Sequence, residues 1–137
     1  MKKKGSRGDW VEVSIMKPSE EEISAYRREA EKRRQKDLTQ LKERRQKAWC
    51  IAYKAAKLLR ERYNASRVVV FGSILREDCF GIWSDIDIAA WGIVSSDTFR
   101  AMGDLMDLSD EIDVALVDIT TCRPGLREAI ERKGKDI

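Results

Sequence analysis

From Ser19 to Asn64 the chain contains no glycine and no proline. A stretch of that length without a backbone breaker predicts one long helix, and its start is marked. Pro18-Ser19-Glu20-Glu21-Glu22 places a serine at the capping position, a glutamate three residues on that can reach back, and three acids at the positive end of the dipole. Unbroken from about residue 20 to 63, such a helix is roughly 65 Å long at 1.5 Å per residue, longer than the domain it serves, so a break or bend is expected. Its apolar stripe runs through Leu38, Leu41, Ala48, Ala52, Ala56 and Leu59, broadened by Trp49, Ile51, Tyr53 and Leu58. Trp49–Leu59 is therefore expected to pack. Between Arg27 and Lys36 the stripe thins to Ala30 among basic residues, so this part projects or meets a partner.

After Asn64 the period changes. Arg67–Phe71 is a β-branched run read as a buried strand, Ile86–Ala90 is a second and Ile112–Val117 a third. Between the last two, Phe99, Met102, Leu105 and Met106 fit a short helix capped by Ser95 or Ser96. Another helix is expected from Pro124 to Lys133, with Leu126, Ala129 and Ile130 on one side and Gly134 after its end. The order predicts an α/β (α+β) fold: a short mixed sheet flanked by helices, with a long N-terminal helix. Residues 1–18 read as a flexible tail, in which Trp10, Val11, Val13 and Ile15 also allow one weak strand. Residues 19–47 read as a basic helical extension and 48–137 as the folded domain.

A length of 137 residues and 42% hydrophobic content allow one compact domain with something attached. The overall charge of +3 conceals a division. Residues 1–66 hold 19 Lys+Arg against 10 Asp+Glu, net +9, and residues 67–137 hold 8 against 14, net −6. The basic half is either a solvated helical face or a surface for phosphate-rich or acidic partners. The cysteines, Cys50, Cys79 and Cys122, lack metal-ligand spacing, and there is no histidine. That argues against zinc and against Ser-His or Cys-His nucleophilic catalysis. Reduced thiols, no membrane span and no apolar stretch after Met1-Lys2-Lys3-Lys4 lead to the expectation of a cytoplasmic protein.

The chemistry concentrates in three places. Asp85 and Asp87 are two apart in an extended segment, so both carboxylates leave one face of the sheet while Ile86 and Ile88 enter the core. Two such acids suit a hard cation that keeps waters and accepts phosphate oxygens, as magnesium does. Asp113 opens the third strand and faces the same cluster if that strand neighbours the second. Three acids can hold two Mg²⁺ ions about 4 Å apart. Gly72-Ser73 follows the first strand, where glycine lets the backbone turn tightly and approach a phosphate; Arg76, further on, can balance charge on a leaving pyrophosphate. Trp10, Trp49, Trp83 and Trp91 read as packing or interface groups rather than base-stacking platforms.

Phe71-Gly72-Ser73, Ser84-Asp85-Ile86-Asp87-Ile88 and Ile112-Asp113-Val114 together resemble the minimal nucleotidyltransferase domains of the DNA polymerase beta-like superfamily, over roughly residues 48 to 132. The resemblance implies that Gly72 and Ser73, with Arg76, hold a nucleoside triphosphate such as ATP. It implies that Asp85, Asp87 and Asp113 are the metal ligands and catalytic acids, Asp113 helping to deprotonate the incoming hydroxyl. Two departures stand out: Ile74 occupies the position where members commonly carry an arginine, and the spacer to Ser84 is unusually apolar, with Cys79, Phe80 and Trp83.

Small stand-alone domains of this kind resemble the nucleotidyltransferase antitoxins that transfer AMP to a tyrosine of a HEPN-type toxin. A separate protein partner of that class is the acceptor this implies. The long helix then serves partner docking, homo-oligomer formation or RNA contact. The alternatives are a non-catalytic partner-binding or nucleic-acid-binding module derived from this fold, and a nucleotidyltransferase acting on RNA or a small molecule.

Overall fold

The computed structural model describes residues 17–137. Helix α1 spans Glu20–Tyr63, 44 residues without an interruption, so the expected break is absent from its hydrogen bonding. Two compact units divide the chain, one ending at Leu38 and the other spanning Thr39–Ile137. The weak strand considered at Trp10–Ile15 lies outside the described residues.

The unit ending at Leu38 contributes the first part of α1. The Glu22 amide donates to Ser19 Oγ at 3.1 Å, and the same hydroxyl donates to Glu22 Oε1 at 3.1 Å. The expected cap is therefore formed. All of residues 17–38 are exposed except Ala30, which is half-buried. Their local support is intrahelical: Arg34–Glu31 at 2.7 Å, Lys32–Glu29 at 3.7 Å and Gln35 to Glu31 at 3.2 Å. Each such pair stabilises a helix by only about 0.2–0.5 kcal/mol. Leu38, assigned to the apolar stripe from its spacing, is 53% exposed.

In the Thr39–Ile137 unit, α1 becomes a packing helix. Ala48, Ala52, Ala55, Ala56, Leu59 and Tyr63 are buried, and the four alanines of this row belong to the main core. Tyr53 stays exposed. The domain boundary read from sequence fell between residues 47 and 48; the compact unit begins at Thr39, because Leu41, Arg44 and Arg45 are already half-buried. The helix stops where Asn64 takes a φ of 58°, a left-handed conformation that asparagine tolerates. The Ala65 amide then returns to the Leu59 carbonyl at 3.1 Å.

Four strands follow: β1 (Arg67–Phe71), β2 (Ile86–Trp91), β3 (Val114–Asp118) and the two-residue β4 (Lys135–Asp136). The sheet order is β3-β2-β1-β4, with β2 and β3 parallel and the other pairs antiparallel. β4 was not anticipated, since two charged residues carry no strand pattern. Two further helices are α2 (Thr98–Met106) and α3 (Pro124–Lys133). Ser95 and Ser96 make no side-chain cap for α2; they lie in the 3₁₀ turn Ser95–Asp97 that leads into it. Its buried residues are Ala101 and Leu105, whereas Phe99, expected on the packed face, is 85% exposed.

Alternation separates the sheet faces. Val68, Val70, Ile86, Ile88, Ala90, Val114 and Leu116 join the alanines of α1 and Leu105 in the main core. On the other face Val69 and Ala89 pack with Ile119 and Ile130, the latter from α3, and among the described residues Phe71, Trp91, Val117 and Cys122 adjoin them. That face is thinly covered. Beyond the row Val69–Ala89–Val117 lies the row Phe71–Asp87–Ala115, where Ala115 is exposed. Among the described residues, one end of the sheet is thus left open on the side away from the main core.

Candidate active site

Of the predicted site residues, Gly72, Asp85, Asp87 and Asp113 come from three segments that meet at this end of the sheet. Asp85 and Asp113 immediately precede the first ladder pair of β2 and β3, Ile86 with Val114, and the Ile86 amide donates to the Asp113 carbonyl at 2.9 Å. Parallel pairing therefore sets the two acids at neighbouring register positions. Asp87, one step into β2, lies opposite Phe71 of β1 and Ala115 of β3. All three acids fall on the alternate positions of the sheet that do not enter the main core.

The third segment is the turn after β1. Gly72 has φ +84°, a conformation that disfavours any side chain, and a Cβ built there would stand 2.5 Å from Asp87 Oδ2. The missing side chain is what lets the Asp87 carboxylate lie against the Gly72 backbone. Gly72–Leu75 forms a 3₁₀ turn that the Arg76 amide closes on the Ser73 carbonyl at 3.1 Å. Ser73 is half-buried beside this turn. Ile74 is fully buried, so the position where the resembled family commonly carries arginine anchors the turn in the core. Arg76 is exposed and pairs with Asp78 at 3.3 Å.

Asp85 and Asp113 are exposed and Asp87 is half-buried. Among the described residues, none of the three carboxylates has a hydrogen-bond or salt-bridge partner. Burial first, and then the charge of Asp85, push the Asp87 carboxyl above the ordinary carboxylate range. Two like charges sit near each other, and no cation among the described residues pairs with either. Hard oxygen donors in that state fit a magnesium ion that completes its shell with phosphate oxygens and water. The described residues contain no group of three or more His, Cys, Asp or Glu side chains gathered to metal-binding proximity. The fit therefore rests on the Asp85–Asp87 pair, with Asp113 at the adjoining position.

The spacer before β2 divides its apolar residues. Phe80 is buried in the main core, whereas Trp83, read from sequence as a packing or interface group, is 89% exposed. Ser84 Oγ accepts the Gly81 amide at 2.8 Å, closing the loop that delivers Asp85. Two residues escaped the sequence reading. Arg44 and Arg45 of α1, taken there as part of a basic face, donate to main-chain carbonyls of the site loops. Their position beside Leu41 and Ala48, at the border of the apolar stripe, was the available signal.

No helix among the described residues is long and apolar enough to cross a membrane. No family model and no curated protein matches the chain. Among solved structures, the chain is similar to that of a provisionally assigned minimal nucleotidyltransferase, with 28% sequence identity, a TM-score of 0.40, and coverage of 74% of this chain and 96% of that one.

Proposed function

We propose that this protein is a magnesium-dependent nucleotidyltransferase that moves a nucleoside monophosphate, AMP from ATP, onto a hydroxyl of a partner protein. The observation that carries the reading is the pair Asp85 and Asp87 at one end of the sheet, without a cationic partner among the described residues, with Gly72 against one carboxylate and Asp113 at the neighbouring register position. The motif order shared with minimal nucleotidyltransferases supports the same reading.

In this mechanism Asp85 and Asp87 would hold the cation, and Asp113 adjoins them at the next register position. Magnesium held there would supply charge neutralisation on the triphosphate. Gly72 and Ser73 line the approach of the triphosphate: the glycine leaves backbone accessible and Ser73 supplies a hydroxyl donor. The acceptor oxygen forms a bond to the α-phosphorus, the bond to the pyrophosphate oxygen breaks, and the acceptor proton passes to a carboxylate, a role assigned to Asp113. Arg76 releases Asp78 to meet the departing pyrophosphate. Positioning and electrostatics account for the rate.

A protein acceptor is favoured by the loop entering β2. Ile82 and Trp83 are exposed immediately before Asp85, an apolar contact beside the reacting centre that suits a macromolecule. The specific acceptor we propose is a tyrosine of a HEPN-type toxin, which makes this chain the antitoxin. The second reading, a binding module without turnover, draws on Ile74 being buried and on Arg76 being engaged with Asp78.

The test is incubation with α-labelled ATP and Mg²⁺, alone and with the product of the neighbouring gene, beside an Asp85→Asn/Asp87→Asn double variant. Label on the partner that the variant fails to transfer supports the enzyme. Absence of label with all four nucleotides moves the assignment to the binding module.

A further inference from the structure

Arg44 and Arg45 are consecutive residues of α1 within the Thr39–Ile137 unit, both half-buried. No carboxylate among the described residues pairs with either; both spend their donors on backbone. Arg44 Nε donates to the Gly81 carbonyl at 3.1 Å, Nη2 to the Ser84 carbonyl at 3.2 Å, and Nη1 to the Glu111 carbonyl at 3.4 Å. The same guanidinium lies 5.8 Å from the centre of the Phe80 ring. Arg45 Nε donates to the Ile74 carbonyl at 2.8 Å.

Each of these carbonyls belongs to a segment that delivers a site residue. Ser84 directly precedes Asp85, Glu111 lies two residues before Asp113, and Ile74 follows Ser73. The two acid-bearing segments lie just outside the strand ladder, where backbone bonds fix them least. A planar fork of five donors can span several carbonyls at once, which a lysine ammonium on a flexible stem does less well.

Resting on the metal-site reading above, we propose that Arg44 and Arg45 are positioning residues. They lock the Gly72–Leu75 turn and the lead-in segments of β2 and β3 into one arrangement, so that the carboxylates of Asp85 and Asp87, with Asp113 at the adjoining register position, are set for a divalent cation. They touch neither cation nor substrate. A guanidinium so near the acids repels a cation by simple Coulomb action, so charge and positioning predict opposite outcomes when it is removed. Loss of charge alone tightens cation binding; loss of the clamp weakens it.

The experiment measures Mn²⁺ binding by calorimetry and electron paramagnetic resonance on the full chain. It compares the wild type with Arg44→Ala, Arg44→Lys, Arg45→Ala, Asp85→Asn and Arg67→Ala. Arg67 bridges Glu131 and Asp136 away from the acids, so its variant controls for lost stability. The expected result is about 10-fold weaker Mn²⁺ binding in Arg44→Ala, the scale for residues that orient ligands from outside, and an intermediate loss in Arg44→Lys. Hydrogen exchange is expected to quicken at residues 81–85 and 111–113 in Arg44→Ala and at 72–75 in Arg45→Ala, with Arg67→Ala unchanged at those sites and in Mn²⁺ affinity. Should Arg44→Ala fail to fold, Arg44→Lys carries the comparison. Wild-type affinity or tighter in the Arg44 variants overturns the clamp while leaving the site. A wild-type protein that takes up no Mn²⁺ overturns the site reading and the proposal with it.

Discussion

The carboxylate of Asp87 fills the space in which a side chain at Gly72 would stand: a Cβ there would lie 2.5 Å from Oδ2. The turn and the acid come from opposite strands of an antiparallel pair, Phe71 facing Asp87. The glycine is therefore required by two independent constraints, its φ of +84° and this contact.

Gly72→Ala accordingly carries both a backbone penalty and a displaced carboxylate. The expected loss of stability is about 1–3 kcal/mol, the range for an unfavourable φ together with overpacking. Transfer activity falls more than the folded fraction does, because Asp87 must move. Denaturant unfolding and labelling rate, measured on the same preparation, separate the two effects. A fully stable, fully active variant would show that the turn relaxes freely.

Asp87→Asn tests the opposed demands on that carboxylate. Its folded pKa lies above its unfolded value because of burial and the Asp85 charge. Between those values the native state binds more protons, so this group's contribution to stability declines as pH rises through the folded value and is lowest at neutral pH. With divalent cations chelated, the asparagine variant is expected to melt higher than wild type at pH 7. The difference disappears below the ordinary carboxylate range. With Mg²⁺ and ATP present, the same variant loses at least about 100-fold in transfer rate. Melting curves from pH 3 to 8 in chelator are the check.

The elements were readable where local pattern and tertiary packing agreed. The stretch from Ser19 to Asn64, the run Arg67–Phe71 and Pro124–Lys133 were marked by breakers, caps and β-branched residues, and each occupies the expected place. The pairing of Asp85 with Asp87 followed from strand period alone. What alternation could not supply was the neighbour. That β2 lies between β1 and β3, so that Gly72 meets Asp87 and Asp113 adjoins Asp85, depends on sheet order. Phe99 is an apolar residue that the pattern placed on the packed face and the structure leaves in solvent, and Trp83, read as a packing or interface group, is exposed too. Arg44 and Arg45 looked like two more charges on a basic helix because their partners are carbonyls 29 to 67 residues away, invisible to any side-chain motif.

A polar cluster at the junction of α1 and α2 is expected to contribute to the acid limb of stability, beside Asp118 and Asp136, whose carboxyls are also held low. The Tyr63 hydroxyl and Arg62 Nη1 both donate to Asp104 Oδ2, the latter at 2.9 Å. The tyrosine hydrogen bond first, then Arg62, hold the Asp104 carboxyl below the ordinary range. Its stabilisation is complete above the unfolded carboxylate value and is lost as pH falls through the lower folded value. Asp104→Asn should therefore melt lower than wild type at pH 7, and the two curves should converge in acid. Tyr63 runs the other way. Burial, then Asp104, raises its pKa, so its contribution is lost only in alkali as pH rises through the folded value. Melting temperature against pH for the two proteins gives the answer, and a constant offset down to pH 2 would remove Asp104 from this role.

Phe80 and Trp83, three residues apart in one loop, offer a direct separation of fold from function. Phe80 is 3% exposed, sits in the main core and lies under the Arg44 guanidinium. Phe80→Ala is expected to cost about 3–5 kcal/mol, as large-to-small changes of buried aromatics do. Trp83 stands in solvent, so Trp83→Ala is expected to leave stability within about 0.5 kcal/mol of wild type. If the exposed ring meets a protein acceptor beside Asp85, Trp83→Ala raises the acceptor concentration needed for half-maximal labelling and leaves the concentration dependence on ATP unchanged. Had the ring instead stacked on the nucleotide base, the ATP dependence would shift and the acceptor dependence would not. Labelling rates over a grid of both concentrations, with urea unfolding of each variant alongside, assign the residue to one role or to neither.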